Sequence, residues 1–500
     1  MITMPYLEEV IGTGDKGSRI LAEITSKSRK NSEYFDVIDS PLGSIPVLRI
    51  PEKYFVIVHS ATGESDEYDP EKHAYSLVQE LEFMSRQFDA TPVAITNIID
   101  SRKGEPELLE IIARSLCRAA DDYGVVIMNG ENAILGDRVR AKANISGTML
   151  SIVKKSSLPS TVKGIEVKVP GTVVQKEGVY EFAIFDPKGE PIFMNCDGVG
   201  TKAEFYERLG DEENAMNDLF AMNLDDAAKF GADVKVISGT AEIIGATSFG
   251  NMKSRMKNLC NQLGILGTLE NIKYLLTNPR IKSYKEYHDA FNLTGSTIST
   301  LNEAILKSLR PSAGEYIVAI RGKPNPRSNG ISSKRDAMKK LEKKWREEHF
   351  VQEWHLVPFA VNFAEYLGSP STILYPVFQE LIDTGLASGV YHMSGGAYNG
   401  KLARPIARLG LHAMLDNIFV PDPVEEELRN VLGMSLKDAY AQWPMGNDGF
   451  VATKDPRAAI HIVNKYGLEA QVAGRLNTAA GAKKGATIHV NKQMIYYDGK

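Results

Sequence analysis

The densest chemistry in the chain lies in DGVGTK, Asp197–Lys202, directly after the apolar run PIFMNC. Gly198 and Gly200 let backbone amides approach an anion, because glycine accepts positive φ and has no Cβ to hold the anion away. Thr201 belongs to the same turn, and Lys202 carries a positive point charge on a flexible stem, suited to a polyphosphate. Asp197, at a strand end, is placed to hold Mg2+, which is usually bound through a few carboxylates and phosphate oxygens. The spacing matches neither GxxxxGK[ST] nor GxGxxG, so neither a P-loop nor a dinucleotide fingerprint is expected. The competing reading is an ordinary glycine turn whose aspartate caps a backbone amide.

A second acidic element follows in MNLDDAAKFGA, Met222–Ala232. Neighbouring helical residues point about 100° apart, so only one of Asp225 and Asp226 can share a site with Asp197. That acid would form a Mg–nucleotide pair with the glycine loop; two exposed helix acids are the alternative. Further on, RSNG (Arg327–Gly330) places Ser328 and Asn329 on a tight loop before a helix, where hydroxyl, amide and backbone donors could hold phosphate or an amidine, Asn329 serving the nucleotide as well. HMSGGAYNGKLARP (His392–Pro405) offers Gly395 and Gly396 at a strand-to-helix turn, followed by Lys401 and Arg404, a cradle for a sugar phosphate. An Asx turn and a plain helix entry are the simpler accounts of these two loops. IGTGDKGSR (Ile11–Arg19) is glycine-rich and basic, as a disordered leader would be.

The elements that must position these residues come in two similar runs. The segment from Tyr34, YFDVIDSPLGSIPVLRIPEKYFVIVHSATGES, and that from Tyr180, YEFAIFDPKGEPIFMNCDGVGTK, each read strand, Pro/Gly turn, strand, glycine loop. Each continues into an amphipathic helix ending in a matching phrase, MSRQFDATPVAI and DDAAKFGADVKVI. ANISGTMLSIVKKSSL (Ala143–Leu158) likewise echoes FNLTGSTISTLNEAIL (Phe291–Leu306). Three phrases in matching order point to two copies of one strand-rich module, 1–158 and 159–312, with a third domain over 313–500. That last part alternates strands such as AGEYIVAIRG with helices such as PSTILYPVFQELIDTG, and its tail from Asn477 reads as a hairpin or a surface drape. The fold class is α+β: duplicated N-terminal modules pairing into a β-barrel flanked by helices, plus a C-terminal α/β layer domain.

Taken in order, DGVGTK, MNLDDAAKFGA, RSNG, HMSGGAYNGKLARP, WPMGNDGFVA and GLEAQVAGR resemble the aminoimidazole ribonucleotide synthetase (phosphoribosylformylglycinamidine cyclo-ligase) family. Its superfamily also holds formylglycinamidine synthetase, selenophosphate synthetase, thiamine-monophosphate kinase and a hydrogenase-maturation protein. The resemblance spans 180–480 clearly and 34–158 weakly. It implies ATP and Mg2+ as cofactors, and two N-terminal modules, usually from two subunits, joined in a barrel with ATP at the junction. A GGE-type loop of that family is similar to MNGENAILGD (Met128–Asp137), which brings Glu131 to the nucleotide and metal. The second copy reads GILGTLENIKYL there and is altered, while the first copy's SATGES lacks the leading acid and the lysine of DGVGTK. The two defects are complementary, so one ATP site is expected where Glu131 meets Asp197, Lys202 and Asp226. A histidine often precedes SNG in the family and here it is Arg327; His392 is the other imidazole available, as an acid/base or as a structural ring.

The implied reaction uses ATP to phosphorylate the formyl-amide oxygen of formylglycinamidine ribonucleotide. The amidine nitrogen then closes the imidazole ring and phosphate leaves. Other ATP-using members of the superfamily, kinase or amide-activating synthetase, and a non-catalytic paralogue are the alternatives. Composition narrows the rest. With 43% hydrophobic and 24% charged residues the chain reads as globular, and no apolar run approaches the roughly 18 residues that span a bilayer. A net charge of −5 argues against a nucleic-acid partner, and the basic run Lys334–Glu348 carries acids at helical spacing. Cys117, Cys196 and Cys260 are far apart and odd in number, so neither disulfides nor zinc are expected. The N-terminus has no secretory signature, which points to the cytoplasm. The expected partner is a small-molecule substrate, and the chain is a monomer or homodimer.

Overall fold

The computed structural model describes residues 19–63, 69–139, 141–173, 180–244, 249–272, 290–328, 330–350, 353–479 and 483–500. Ile11–Ser18 and Asn329, singled out above, lie outside the described residues. The chain divides into two compact units, one of residues 1–38, 45–219 and 232–301, the other of 39–44, 220–231 and 302–500.

The first unit is built on strands β1 (Phe35–Ser40), β2 (Gly43–Leu48), β3 (Tyr54–Thr62), β4 (Thr91–Ser101), β5 (Val126–Ile134) and β6 (Ala143–Lys154). After a two-strand flap, β7 (Thr161–Val162) and β8 (Ile165–Glu166), come β9 (Gly171–Val173), β10 (Phe182–Phe185) and β11 (Ile192–Gly198). The set ends with β12 (Asp233–Ile244), β13 (Leu266–Ile272) and β14 (Ala290–Thr300). One sheet runs β1-β2-β11-β14-β12-β13 and the other β5-β4-β6-β3-β10-β9. The pairing scheme is the same in both. β6 lies antiparallel between β3 and β4, and β5 is parallel to β4; β14 lies antiparallel between β11 and β12, and β13 is parallel to β12. Each sheet also takes a strand from the other stretch of sequence: β2 pairs with β11, and β10 pairs with β3.

Both sheets are open at their ends, so the described strands do not make the closed barrel expected from the sequence. The sheets meet through side chains instead of a hydrogen-bonded seam. β6 and β14 show how. Alternate residues share a face, so Asn144, Ser146, Thr148 and Leu150 form one row and Asn292, Thr294, Ser296 and Ile298 another. At one end Leu150 and Ile298 join Val56, Val58, Met194 and Val236 in an apolar core. Next come hydroxyl pairs across the sheets: Thr96 with Ser296 at 2.8 Å, Ser60 with Ser238 at 2.7 Å, Ser146 with Thr294 at 2.8 Å. At the far end Asn144 donates to Glu242 at 2.7 Å and Asn292 to Asp100 at 2.8 Å, a reciprocal pair. Each neutral bond is worth roughly 1 kcal/mol net, but leaving such a buried group unpaired costs more.

Helices cover the other face of β3, β4 and β6. α1 (Pro70–Ser85) is capped by Asp69, whose side chain accepts from the Lys72 amide at 2.9 Å, and α2 (Pro106–Tyr123) ends at Gly124 with φ 67°. Leu77, Leu81, Ile112 and Leu116 pack on Ile57, Ile95, Ile145 and Met149. α3 (Ala203–Leu209), α4 (Ala215–Ala228) and α5 (Phe249–Leu263) complete the labelled helices here, the unit boundary falling inside α4.

The second unit has a seven-stranded mixed sheet, β16-β18-β15-β19-β17-β20-β21. Its strands are β15 (Tyr316–Arg321), β16 (Gly389–His392), β17 (Leu411–Leu415), β18 (Gly449–Thr453), β19 (Glu469–Thr478), β20 (Gly485–Val490) and β21 (Gln493–Tyr497). The tail beyond Asn477 therefore forms an edge hairpin. The long helix α6 (Ile331–His349) starts at Gly330, φ 64°, where a Cβ would lie 2.2 Å from Trp443 Cδ1. Among the described residues no helix is long and apolar enough to cross a membrane.

Candidate functional site

In the first unit DGVGTK is the end of β11 and the turn into α3. Asp197 Oδ1 accepts from the Gly198 amide at 2.7 Å, Gly200 has φ 63°, and Thr201 is buried. A non-glycine residue at Gly200 would be strained, so the turn needs its glycine. The lysine differs from expectation. Lys202 is 0% exposed, with its ammonium 2.8 Å from Asp218 Oδ1, and Tyr206 donates to the same carboxylate. The spacing suggested a mobile charge; the side chain is instead an internal pin between α3 and α4.

Three close approaches set the β11 end beside β4 and the residue that follows β5. Cys196 donates its S–H to the Asn97 carbonyl at 3.3 Å. A Cβ at Gly198 would lie 4.0 Å from Ile98 Cγ2, and one at Gly200 would lie 3.6 Å from Leu135 Cδ2. Ile98 is the register partner of Glu131, so MNGEN and DGVGTK belong to the same end of the paired sheets. Asn97 is 1% exposed, yet neither its amide nitrogen nor its oxygen has a hydrogen-bond partner. It lies 2.9 Å from where a Cβ on Gly130 would be. A buried, unsatisfied amide beside a half-buried glycine turn suits a polar ligand such as a nucleotide. Asp100 is nearby: burial, with the charges of Glu242 and Asp197, outweighs its Asn292 bond and raises its carboxyl to about 7.

Asp226 belongs to the second unit. Its Oδ1 receives Lys229 at 2.7 Å, His392 Nε2 at 3.0 Å and Lys401 at 3.1 Å. Burial alone would raise this carboxyl, but Lys229, Lys401 and His392 hold it well below the ordinary carboxylate range. Burial, aided by Lys401, lowers His392 to about 3, so the ring is neutral at pH 7. Oδ1 of Asp226, a residue expected at a metal, thus receives three nitrogen donors in this structure. Among the described residues no group of three or more His, Cys, Asp or Glu is placed to hold a metal ion. Asp225 also turns inward, accepting from Arg327 at 2.7 Å and from the Leu374 and Tyr375 amides at 2.8 and 2.7 Å. Arg327, where a histidine was expected, is thus a buried structural cation, with Ser328 half-buried beside it.

The SGG loop follows β16. Gly395 and Gly396 are exposed, Gly396 at φ 80°. Ala397 takes φ 33° and ψ −122°, and a π-turn over Tyr398–Ala403 follows. Such backbone costs of order 1–3 kcal/mol for a residue with a Cβ and collects at functional sites. Arg404 is exposed, and its Nε donates to the Gly499 carbonyl at 3.2 Å, so the terminal segment shares the cation assigned to a phosphate. Sequence reasoning passed over Lys229, whose i, i+3 spacing to Asp226 on the helix was the available signal.

With this geometry in view, the family description "AIR synthase related protein, N-terminal domain" matches residues 88–153. The chain resembles the AIR synthase-related proteins. The match covers β4, β5 and nearly all of β6, in the stretch 34–158 where the motif resemblance was weak. The phosphoribosylformylglycinamidine cyclo-ligase of Methanocaldococcus jannaschii is 23% identical over 334 residues, covering 65% of this chain and 88% of that protein. A thiamine-monophosphate kinase structure from Stenotrophomonas maltophilia K279a aligns at TM-score 0.40 and 13% identity, covering 63% of this chain and 90% of that one. T. maritima PurL complexed with AMPPCP aligns at TM-score 0.35 and 13% identity, covering 61% of this chain and 43% of that one.

Proposed function

We propose that this AIR synthase-like chain is an ATP-dependent cyclo-ligase converting formylglycinamidine ribonucleotide to aminoimidazole ribonucleotide, ADP and phosphate. The observation that carries the nucleotide site is the glycine turn Gly198–Gly200 beside the unsatisfied Asn97 amide, with Asp197 and Glu131 at the same end of the sheets. Asp197 and Glu131 would hold Mg2+, and the turn of Gly198, Gly200 and Thr201 would lie along the phosphates. The small-molecule substrate would be held by Ser328, Asn329, Gly395, Gly396 and Arg404, with Lys401 and Lys229 near the loop as cations. ATP supplies the phosphoryl group that activates the amide oxygen, and the protein contributes position and charge. The cyclo-ligase names of the relatives support the reaction.

The shared pairing scheme of the two sheets supports the further reading that 1–158 and 159–312 are two copies of one module. One chain then supplies both halves of the nucleotide site, and 313–500 the substrate domain. No partner subunit is needed for that site, whether the protein is a monomer or a homodimer. Asp197→Asn should abolish Mg-dependent ADP formation while leaving the melting temperature within about 2 °C of wild type. Full activity in that variant would refute the assignment. Burial of Lys202 favours a second reading, a non-catalytic relative, and that reading requires that no Mg-dependent AMPPCP binding is detected in a thermal-shift titration.

A further inference from the structure

The common pairing scheme gives each residue at the nucleotide end a counterpart. Glu131 pairs with Ile98, which pairs with Ser146; Glu270 pairs with Thr240, which pairs with Thr294. The next residues, Gly147 and Gly295, pair with Ala61 and Asp197. Glu270 is thus the counterpart of Glu131, and Ala61 that of Asp197. The phrases hide this because the β4–β5 register skips Met128, one residue more than β13 carries. The second position keeps its glutamate and lacks its aspartate.

Glu270 is 6% exposed. Beside it the Glu181 amide donates to Glu270 Oε2 at 3.4 Å, and Glu181 Oε2 accepts from the Leu269 amide at 2.9 Å. Lys253 of α5 donates to Glu181 Oε1, and Tyr180 donates to Glu80 at 3.0 Å. Buried carboxylates this close repel unless a cation stands with them. The lysine is particular to this half: α2 and α5 end at Gly124 and Gly264, φ 67° and 68°, and counting back from these caps sets Lys253 against the buried Ala113.

We propose that Lys253 is a built-in cation at this second position, doing what a ligand-borne cation does at Glu131 and Asp197. Glu181, Lys253 and Glu270 together close the position to nucleotide. The inference rests on the reading of Glu131 as a nucleotide-site residue. A polyphosphate here would meet Glu80, Glu181 and Glu270, and Ala61 stands where the other position has Asp197. Burial raises Glu270 to about 7; the Glu181 amide and Lys253 oppose the shift, and the charges of Glu181 and Glu80 add to it.

The test is calorimetric titration of Mg2+–AMPPCP into wild type, Lys253→Ala and Glu131→Gln, with melting curves in Mn2+ alone. Wild type and Lys253→Ala should each take one AMPPCP per chain with affinities within about twofold, and Glu131→Gln should bind at least about tenfold more weakly. Lys253→Ala should melt lower than wild type, and Mn2+ should raise its melting temperature several degrees more than it raises that of wild type. Equal Mn2+ shifts, or two AMPPCP per wild-type chain, would overturn the proposal. If Lys253→Ala does not fold, Glu270→Gln decides: it should melt above wild type at pH 8 and level with it at pH 4, and a lower melting temperature at pH 8 refutes the idea. A wild type that binds no AMPPCP overturns the nucleotide reading, while the Mn2+ comparison still judges Lys253.

Discussion

Lys202 and Asp218 form a 2.8 Å ion pair with neither side chain exposed, so the lysine of DGVGTK holds the turn from behind. Removing one member of a buried pair strands the other charge, at a cost of about 3–5 kcal/mol. Lys202→Met should lose stability of that order in urea unfolding, and adding Asp218→Asn should return part of it. A Lys202→Met protein of wild-type stability that fails only to bind nucleotide would restore the mobile-charge reading.

Ala397 supplies the second expectation. At φ 33° a Cβ is a liability, so Ala397→Gly should relieve strain and stabilise by about 1 kcal/mol, less any gain in unfolded-chain entropy. Melting temperature reads the gain, and a fall would show that the alanine methyl packs favourably enough to outweigh the strain.

Asp100 makes stability depend on pH. Burial, with Glu242 and Asp197 adding and Asn292 and Arg138 opposing, holds its folded carboxyl at about 7, above the ordinary value near 4. The folded chain therefore keeps a proton that the unfolded chain releases, and this contribution is lost as pH rises from about 4 through about 7. Asp100→Asn should flatten that part of the stability curve, with its advantage over wild type largest above pH 7. An unchanged slope between pH 4 and pH 7 would reject this account.

What the sequence made legible was local. The echo of ANISGTMLSIV and FNLTGSTISTL became β6 and β14, because alternation states directly which residues share a face. Gly200 declared its turn, since few other residues take that φ. Burial and partnership were not legible. Nothing in DGVGTK reveals that Asp218 waits one helix later, or that Asp225 will meet Arg327. A charge's role depends on whether a counter-charge arrives, which spacing along one strand or helix does not encode. Glu270 was missed for a geometric reason: the one-residue skip at Met128 slides the phrases out of step while strand pairing keeps them aligned.

The exchange of β2 and β10 between the sheets has a consequence for how the chain is made. As residues emerge in order, the edge of β3 has no neighbour on its outer side until Phe182–Phe185 has been synthesised, and β2 must wait for Ile192. An unpaired strand edge is a template for foreign pairing, and distant partners close slowly. The early product on the ribosome is therefore a sheet without β9 and β10, exposed to aggregation until later residues arrive, and a gene cut between the two stretches would yield one piece without β9 and β10 and another without β1 and β2.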